Sequence, residues 1–481
     1  MKMYIDGQWR AGEASAPVTN PYDNSVVDEA PLATPKDVED AVASASLATS
    51  AMREMPIYRR SEIIEKAARL LLERKESIAR LITLENGKTI NEARGEIDRA
   101  AMTLFAAADA AREIGGETLP LSARQVPAVE KKFGFTFRVP CGVVLAITPF
   151  NVPINLACHK IGAAFAAGNS VILKSASDTP LSTVRLVEAF LDAGLPETAI
   201  QYITGSGSKL GAILCPDKRI RKITFTGSFG VGEEICRLAG LKKVTMELGG
   251  NCPVIVMDDA DPDNVVNALL PGAYGMAGQA CVSTQRVLVH ESLYETIVEG
   301  LASKIDESFT LGDPMDEATT MGPLIRESDA RRVSEVIDEA RSRGARVLGR
   351  DGGQRNGNFV NPAVVADVRP TMRMFREELF GPAAAIIPFK DRDAAIAAAN
   401  DTNYGLAAGV FTRNLDDAMY LAARVDSGIM HINSSSRWRV DHMPNGGIKD
   451  SGMGKEGPKY AIEELSESRT VIMHLQDRAL Y

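Results

Sequence analysis

The chain has 481 residues, room at roughly 150 residues per domain for two or three domains with full cores, so a small scaffold held by staples is excluded. Apolar residues make up 45% and charged residues 24%, the mixture of an ordinary globular protein and not of a disordered or fibrous one. With 54 Lys and Arg against 63 Asp and Glu the formal charge is −9, the wrong sign for a nucleic-acid binder.

The opening segment from Met1 to Trp9 reads as a short strand and turn, with no apolar run of signal-peptide length. From Tyr58 to Arg80, Ile63, Ile64, Ala67, Leu70, Leu71 and Ile78 recur at three- and four-residue steps, which predicts an amphipathic helix in a region ended by Asn86-Gly87. A second, Ala-rich helix is predicted from about Ile90 to Ile114, stopped by Gly115-Gly116 as a C-terminal cap. Lys131 to Val139 alternates Phe133, Phe135 and Phe137 with polar or small residues, the period of a strand with one apolar face.

The most apolar tract, Cys141 to Gly168, is interrupted by Pro149, Pro153 and several polar side chains, so it does not read as a membrane span. Short β-branched runs follow at Val143–Ile147, Val171–Leu173, Ala199–Ile203 and Ile223–Phe225, separated by helical segments. That alternation predicts a doubly wound parallel sheet. A second series, at Pro253–Val256, Val287–Val289, Arg346–Leu348, Ala384–Ile387 and Gly409–Phe411, predicts a second α/β domain. The terminal run Arg469–His474 is again strand-like, and lone ribbons are marginal in water, so this segment and the 131–139 ribbon are expected to pair with each other or with another subunit. Six cysteines, with no CxxC pair and no zinc-like spacing, predict a reduced, cytoplasmic protein without a metal site.

Several segments have the residue types of a reaction centre. Cys281 lies in Gly278-Gln279-Ala280-Cys281, just before a strand, where a thiol can attack a carbonyl carbon, although an isolated cysteine is more often a small core residue. Glu247, in Met246-Glu247-Leu248-Gly249-Gly250, is a carboxylate in an apolar setting, suited to general-base work if it is not simply a strand-end surface group. Asn151, between Pro149 and Pro153, offers an amide to an oxyanion or a cap to the next helix. The turn from Gly227 through Ser228 to Gly232 joins a strand to a helix, as a diphosphate site requires, but lacks the GxGxxG fingerprint.

Taken in order, Pro149-Phe150-Asn151, Lys174, Phe225-Thr226-Gly227-Ser228, Glu247-Leu248-Gly249-Gly250, Gly278-Gln279-x-Cys281, Glu378-Leu379-Phe380-Gly381-Pro382 and Gly446-Gly447-Ile448-Lys449 with Ser451-Gly452 resemble the aldehyde dehydrogenase superfamily over nearly the whole chain. The resemblance implies an α/β fold: a Rossmann-like nucleotide-binding domain over 1–121 and 140–248, a catalytic domain over 249–440, and a small β oligomerisation element over 122–139 and 464–481. It implies Cys281 as nucleophile, Asn151 with the Cys281 N–H as oxyanion hole, and Glu247 as the base that activates water. It places Lys174 and Ser177 at the adenosine ribose, Gly227, Ser228 and Gly232 at the diphosphate, and Glu378 with Phe380 on the nicotinamide side. Thr148, Pro149, Gly205, Phe225 and Leu248 complete the implied cofactor contacts.

Relatives that prefer NAD often carry a glutamate three residues after the lysine; here that residue is Ser177, so NADP is expected to be used at least comparably with NAD. Glu247 in its full motif argues for hydrolysis, the alternatives being transfer of the acyl group to CoA or a non-catalytic protein of the same fold. His159, Asn445 and Val152 stand where many relatives have aromatic residues, and Arg437, Arg439 and His442 lie in the segment that borders their substrate entrance. With Asn151, these residues describe a polar tunnel for a small hydroxyaldehyde or semialdehyde, resembling the lactaldehyde and succinate-semialdehyde branches. Ala280 replaces an arginine of phosphoaldehyde-oxidising relatives. A homodimer or homotetramer is expected.

Overall fold

Five strands that read as continuous apolar runs lie side by side and parallel, in the order Ile200–Ile203, Ser170–Lys174, Val143–Ile147, Ile220–Thr226 and Lys243–Glu247, in a computed structural model that describes residues 1–127 and 129–476. The sheet winds both ways from Val143–Ile147, so its topological switch lies between that strand and Ile220–Thr226. Ligands in such sheets bind at the carboxyl ends of the strands beside the switch, and Asn151 and Gly227 follow those two ends. The hairpin Met3–Ile5 and Gln8–Arg10 closes one edge. Gly452–Met453 closes the other, antiparallel to Lys243–Glu247.

A second sheet of seven strands runs in the order Arg346–Leu348, Ala363–Ala366, Ala383–Phe389, Thr284–His290, Cys252–Val256, Ala407–Phe411 and Ile429–Ile432, parallel except at its first strand. Val254–Val256, Val287–Val289 and Ala383–Ile386 are buried on both faces, as parallel strands covered by helices must be. The third sheet pairs Ser466–His474 antiparallel with Lys132–Pro140 over nine residues and adds Thr118–Leu119. Ala128 and 477–481, part of the expected oligomerisation element, lie outside the described residues.

Two helices depart from expectation. The amphipathic stretch beginning near Tyr58 is two helices, Ile57–Glu73 and Lys75–Asn86, broken at Arg74, whose φ of −97° and ψ of 9° leave the helical well. Periodicity cannot register a one-residue break that keeps the apolar face in phase. The Ala-rich helix ends at Arg112 with Glu113 as its cap, so Gly115-Gly116 does not terminate it. Gly116 has another reason: a Cβ there would fall 1.7 Å from the Thr136 carbonyl oxygen of the ribbon. Among the described residues no helix is long and apolar enough to cross a membrane.

Candidate active site

A cleft of about 1260 Å³ opens at the carboxyl ends of the first sheet and is closed on its far side by residues of the second. Asn151, Glu247 and Cys281, from three distant segments, all line it. Asn151 follows the Val143–Ile147 strand, and its side-chain amide donates to the Gln279 carbonyl at 2.9 Å, tying it to the cysteine's loop. Its backbone carbonyl accepts from Lys88 Nζ at 2.7 Å, and Lys88 in turn is paired with buried Glu96 at 2.6 Å. Glu96 spends its other oxygen on the free N–H groups of Ile154 (2.8 Å) and Asn155 (3.3 Å), capping the helix Pro153–Ala166. Thus Asn151 fulfils no capping role.

Cys281 ends an irregular loop in which Met276 and Ala277 hold φ of 56° and 51°. Consecutive left-handed non-glycine residues cost of order 1–3 kcal/mol each and persist only where surrounding contacts fix them. Here the Met276 N–H donates to Glu92 at 2.7 Å, Gln279 Oε1 accepts from the Ile325 N–H at 3.0 Å, and Ser283 Oγ donates to the Ala273 carbonyl at 3.1 Å. Gly250 allows close approach, since a Cβ there would lie 2.5 Å from the Cys281 carbonyl oxygen. Burial, with Glu247 and Glu378 nearby, pushes the thiol well above its usual range, so the resting group is a thiol.

Glu247 is buried at the end of its strand. Burial and the charge of Glu456 raise its pKa well above the carboxylate range. Its Oε2 accepts from Asn445 Nδ2 at 3.1 Å, while Oε1 has no partner among the described residues. Asn445, expected as a tunnel residue, therefore holds the candidate base. Behind it Glu456 accepts from Lys160 Nζ at 3.0 Å and Arg439 Nη2 at 3.4 Å. Burial opposes the Glu456 charge, but the Lys160 and Arg439 cations outweigh it and bring its pKa down.

His159 Nε2 lies 3.1 Å from both Asp441 Oδ1 and Arg439 Nη2. Burial, reinforced by Arg439, lowers its pKa and keeps the ring neutral, so one nitrogen can serve either the acceptor or the donor but not both at once. Asp441 also accepts from Arg99 at 2.8 Å and Asn155 at 3.2 Å. Arg437 donates to the Pro271 carbonyl at 2.7 Å, and His442 is exposed. Of the six expected substrate residues, Asn151 lines the cleft, His159, Arg439 and Asn445 form the polar network behind Glu247, and neither Arg437 nor His442 joins that network. Buried Asp441 and Glu456 belong to none of the motifs in the sequence, and only the fold brings them to this network.

The remainder of the cleft suits a dinucleotide. Lys174 Nζ is buried and donates to the Ser175 carbonyl at 2.8 Å, and burial lowers its pKa to about 8. Ser177 donates to the Gly205 carbonyl at 3.2 Å, so Gly205 shapes the loop without lining the cavity. Thr148, Pro149, Phe225, Gly227, Ser228 and Leu248 line the cleft. Ser228 is the N-terminal cap of the helix Phe229–Ala239 and makes no side-chain cap bond, which leaves the helix's first N–H groups without a partner from that side chain. Gly232 sits behind, where a Cβ would meet Leu248 Cδ2 at 2.5 Å, so it sets helix-to-strand packing.

Glu378 accepts from the Gly250 N–H at 3.0 Å, and burial raises its pKa to about 7. Phe380 has a φ of 50° and stands edge-on to Phe150 at 5.9 Å. Its strained backbone is clamped by Arg332, which donates to the Leu379 carbonyl at 2.7 Å, and by the Leu379 N–H, which donates to Gln285 at 2.8 Å. No group of His, Cys, Asp and Glu suited to a metal occurs among the described residues.

The sequence profile of the Aldehyde dehydrogenase family matches residues 9–471. Over 473 residues the chain is 44% identical to the 3-sulfolactaldehyde dehydrogenase of Priestia megaterium, covering 98% of each protein. It is 39% identical to aspartate-semialdehyde dehydrogenase 1 of Pseudomonas canavaninivorans, covering 95% of this chain and 96% of that one. In three dimensions it matches an NADP-dependent glyceraldehyde-3-phosphate dehydrogenase from Bacillus halodurans, solved with NADP, at a TM-score of 0.95 and 36% identity, over 99% of both chains.

Proposed function

The chain belongs to the aldehyde dehydrogenase family and is an oxidoreductase acting on aldehydes; we propose that it oxidises a small polar aldehyde bearing a hydroxyl or anionic group to the acid, releasing the product by hydrolysis. The observation that carries the reading is the convergence of Cys281, Asn151 and Glu247 on one cleft, with the base backed by a buried Asn445–Glu456–Arg439–His159 network. In this reading the Cys281 sulfur adds to the aldehyde carbon, the Asn151 amide with the Cys281 N–H stabilises the developing oxyanion, and the thiol proton passes by way of solvent to that oxygen to give a thiohemiacetal. When bound, NAD(P) would supply the acceptor for the hydride, and the thiohemiacetal hydroxyl proton is lost to solvent as the thioester forms. Glu247 then takes a proton from water, which attacks the thioester and frees the Cys281 thiol and the acid.

For the cofactor, Lys174 and Ser177 would hold the adenosine ribose, the N-terminus of Phe229–Ala239 the diphosphate, and Glu378 the nicotinamide ribose. Because Ser177 presents no charge, we expect NADP to be used at least as well as NAD. The names of the two relatives, whose aldehydes carry a sulfonate or a carboxylate, support an anionic or hydroxylated substrate. An initial-rate panel of short hydroxyaldehydes, semialdehydes and sulfonated aldehydes, set against long-chain and aromatic aldehydes with both cofactors, tests it. Activity confined to the long-chain or aromatic set removes the reading, and a strict requirement for CoA removes its hydrolytic step.

Six free thiols suit a reducing, cytoplasmic setting. The open edge of Ser466–His474, with Ile472 and Met473 exposed, supports assembly of a homodimer or homotetramer through this ribbon. Sedimentation equilibrium showing a monomer at micromolar concentration would refute it.

A further inference from the structure

Asp178 directly follows Ser177, so a carboxylate stands at the end of the cleft assigned to the adenosine ribose. Left alone, that charge would oppose a 2′-phosphate. It is not left alone. Arg326, at the N-terminal cap of the helix Glu327–Ser342, reaches over from the second sheet's side; its Nε donates to Asp178 Oδ1 at 3.0 Å and its Nη2 donates to Oδ2. The pair is the fork-on-fork geometry in which arginine recognises carboxylates and phosphates alike.

Arg326 Nη1 donates to Asp329 Oδ2 at 3.4 Å, and its guanidinium lies 5.8 Å from the centre of the Phe150 ring. Three of its five N–H bonds are thus used, and one hydrogen on each Nη is left over. Asp178 and Arg326 line the same cavity as Lys174 and Ser177, and the pair joins the two walls of the cleft. A residue chosen only to staple the walls has no need to stand beside the one position that distinguishes the two cofactors.

We propose that Arg326 is a specificity-determining residue for the 2′-phosphate of NADP: it cancels the charge of Asp178 and directs its remaining N–H groups to the phosphate. The inference rests on the NADP reading above and extends it from Ser177 and Lys174, on one wall, to a cation supplied by the other.

Calorimetric titration of the unliganded protein with 2′,5′-ADP and with 5′-AMP, which differ only in the 2′-phosphate and neither of which can turn over, tests the idea. Arg326→Gln is expected to weaken 2′,5′-ADP at least tenfold while changing 5′-AMP less than twofold. Equal losses for the two ligands, the mark of a merely structural pair, or no loss for either, would overturn it. Asp178→Asn, which removes the carboxylate that occupies Arg326, is expected to tighten 2′,5′-ADP at least threefold and leave 5′-AMP unchanged; any other result counts against the proposal, even if Arg326→Gln fails to fold. If the unsubstituted protein binds 5′-AMP tenfold more tightly than 2′,5′-ADP, the NADP reading itself falls. A normal preference with an indifferent Arg326→Gln sinks only the role of Arg326.

Discussion

Asn445 ties the Glu247 carboxylate to the Glu456 backbone: its side-chain amide donates to Glu247 Oε2 at 3.1 Å, while its own backbone exchanges hydrogen bonds of 3.1 and 2.7 Å with the backbone of Glu456. The amide bond favours ionised Glu247, whereas burial and the Glu456 charge favour the protonated form. Asn445 is therefore the adjustable element of the base.

Replacing Asn445 by Ala removes a hydrogen bond to a charged acceptor, of order 1.5–3 kcal/mol, and so raises the Glu247 pKa further. A base works only when ionised, so the rate of hydrolysis rises with pH until that pKa is passed. The alkaline-going limb of the kcat profile should move to higher pH in Asn445→Ala, with kcat about tenfold lower at neutral pH and recovering above it. A pH-independent loss would show that Asn445 only shapes the cavity.

Glu247→Gln separates the two halves of the reaction. Addition of the Cys281 thiol and hydride loss do not need the carboxylate, but attack by water does, and loss of a general base typically costs about 10²–10⁴-fold. Rapid mixing with aldehyde and cofactor should give a burst approaching one reduced cofactor per active site, followed by turnover at least 100-fold slower. Steady-state loss with no burst would place Glu247 before the thioester.

Much of this arrangement is legible in the sequence because it is local or motif-bound. Apolar runs announce the strands, the alternation of Phe133, Phe135 and Phe137 announces the ribbon, and Glu247-Leu248-Gly249-Gly250 announces itself. The supporting residues are not local. Lys160 meets Glu456 from 296 positions away, His159 meets Asp441 from 282, and Glu96 reaches Ile154 across 58. A lone charged residue reads as solvated surface, because burial of a charge is tolerated only with a partner, and the partner is visible only after folding. Asn445 stands where many relatives have an aromatic residue, which suggests a tunnel position, but the atom it faces is visible only in the fold. Gly452–Met453, only two residues long, has no periodicity to detect.

If Glu378 holds the nicotinamide ribose as proposed, cofactor affinity should depend on pH. Burial holds its pKa at about 7, so near neutrality the carboxylate that would accept ribose hydroxyl protons is only partly ionised. Raising the pH through 7 ionises it, and the KM for NAD(P) should fall and then level off. Glu378→Gln should have a higher KM that no longer changes across this range. A profile with the opposite slope would mean that the protonated acid is the binding form.

Lys88 and Glu96 form a buried ion pair beneath Asn151, and Glu96 also caps the helix Pro153–Ala166. Glu96→Ala leaves a buried ammonium with only the Asn151 carbonyl for company and exposes two helix N–H groups, which should cost about 3–5 kcal/mol in denaturant unfolding. Replacing both partners with apolar residues, as in Lys88→Met with Glu96→Leu, removes the stranded charge and should restore most of that loss. The pair also anchors the Asn151 carbonyl, so the doubly substituted protein should regain stability but not kcat, since the Asn151 backbone then lacks its Lys88 anchor and only the side-chain bond to Gln279 places the amide. Recovery of both together would reduce the ion pair to a packing element.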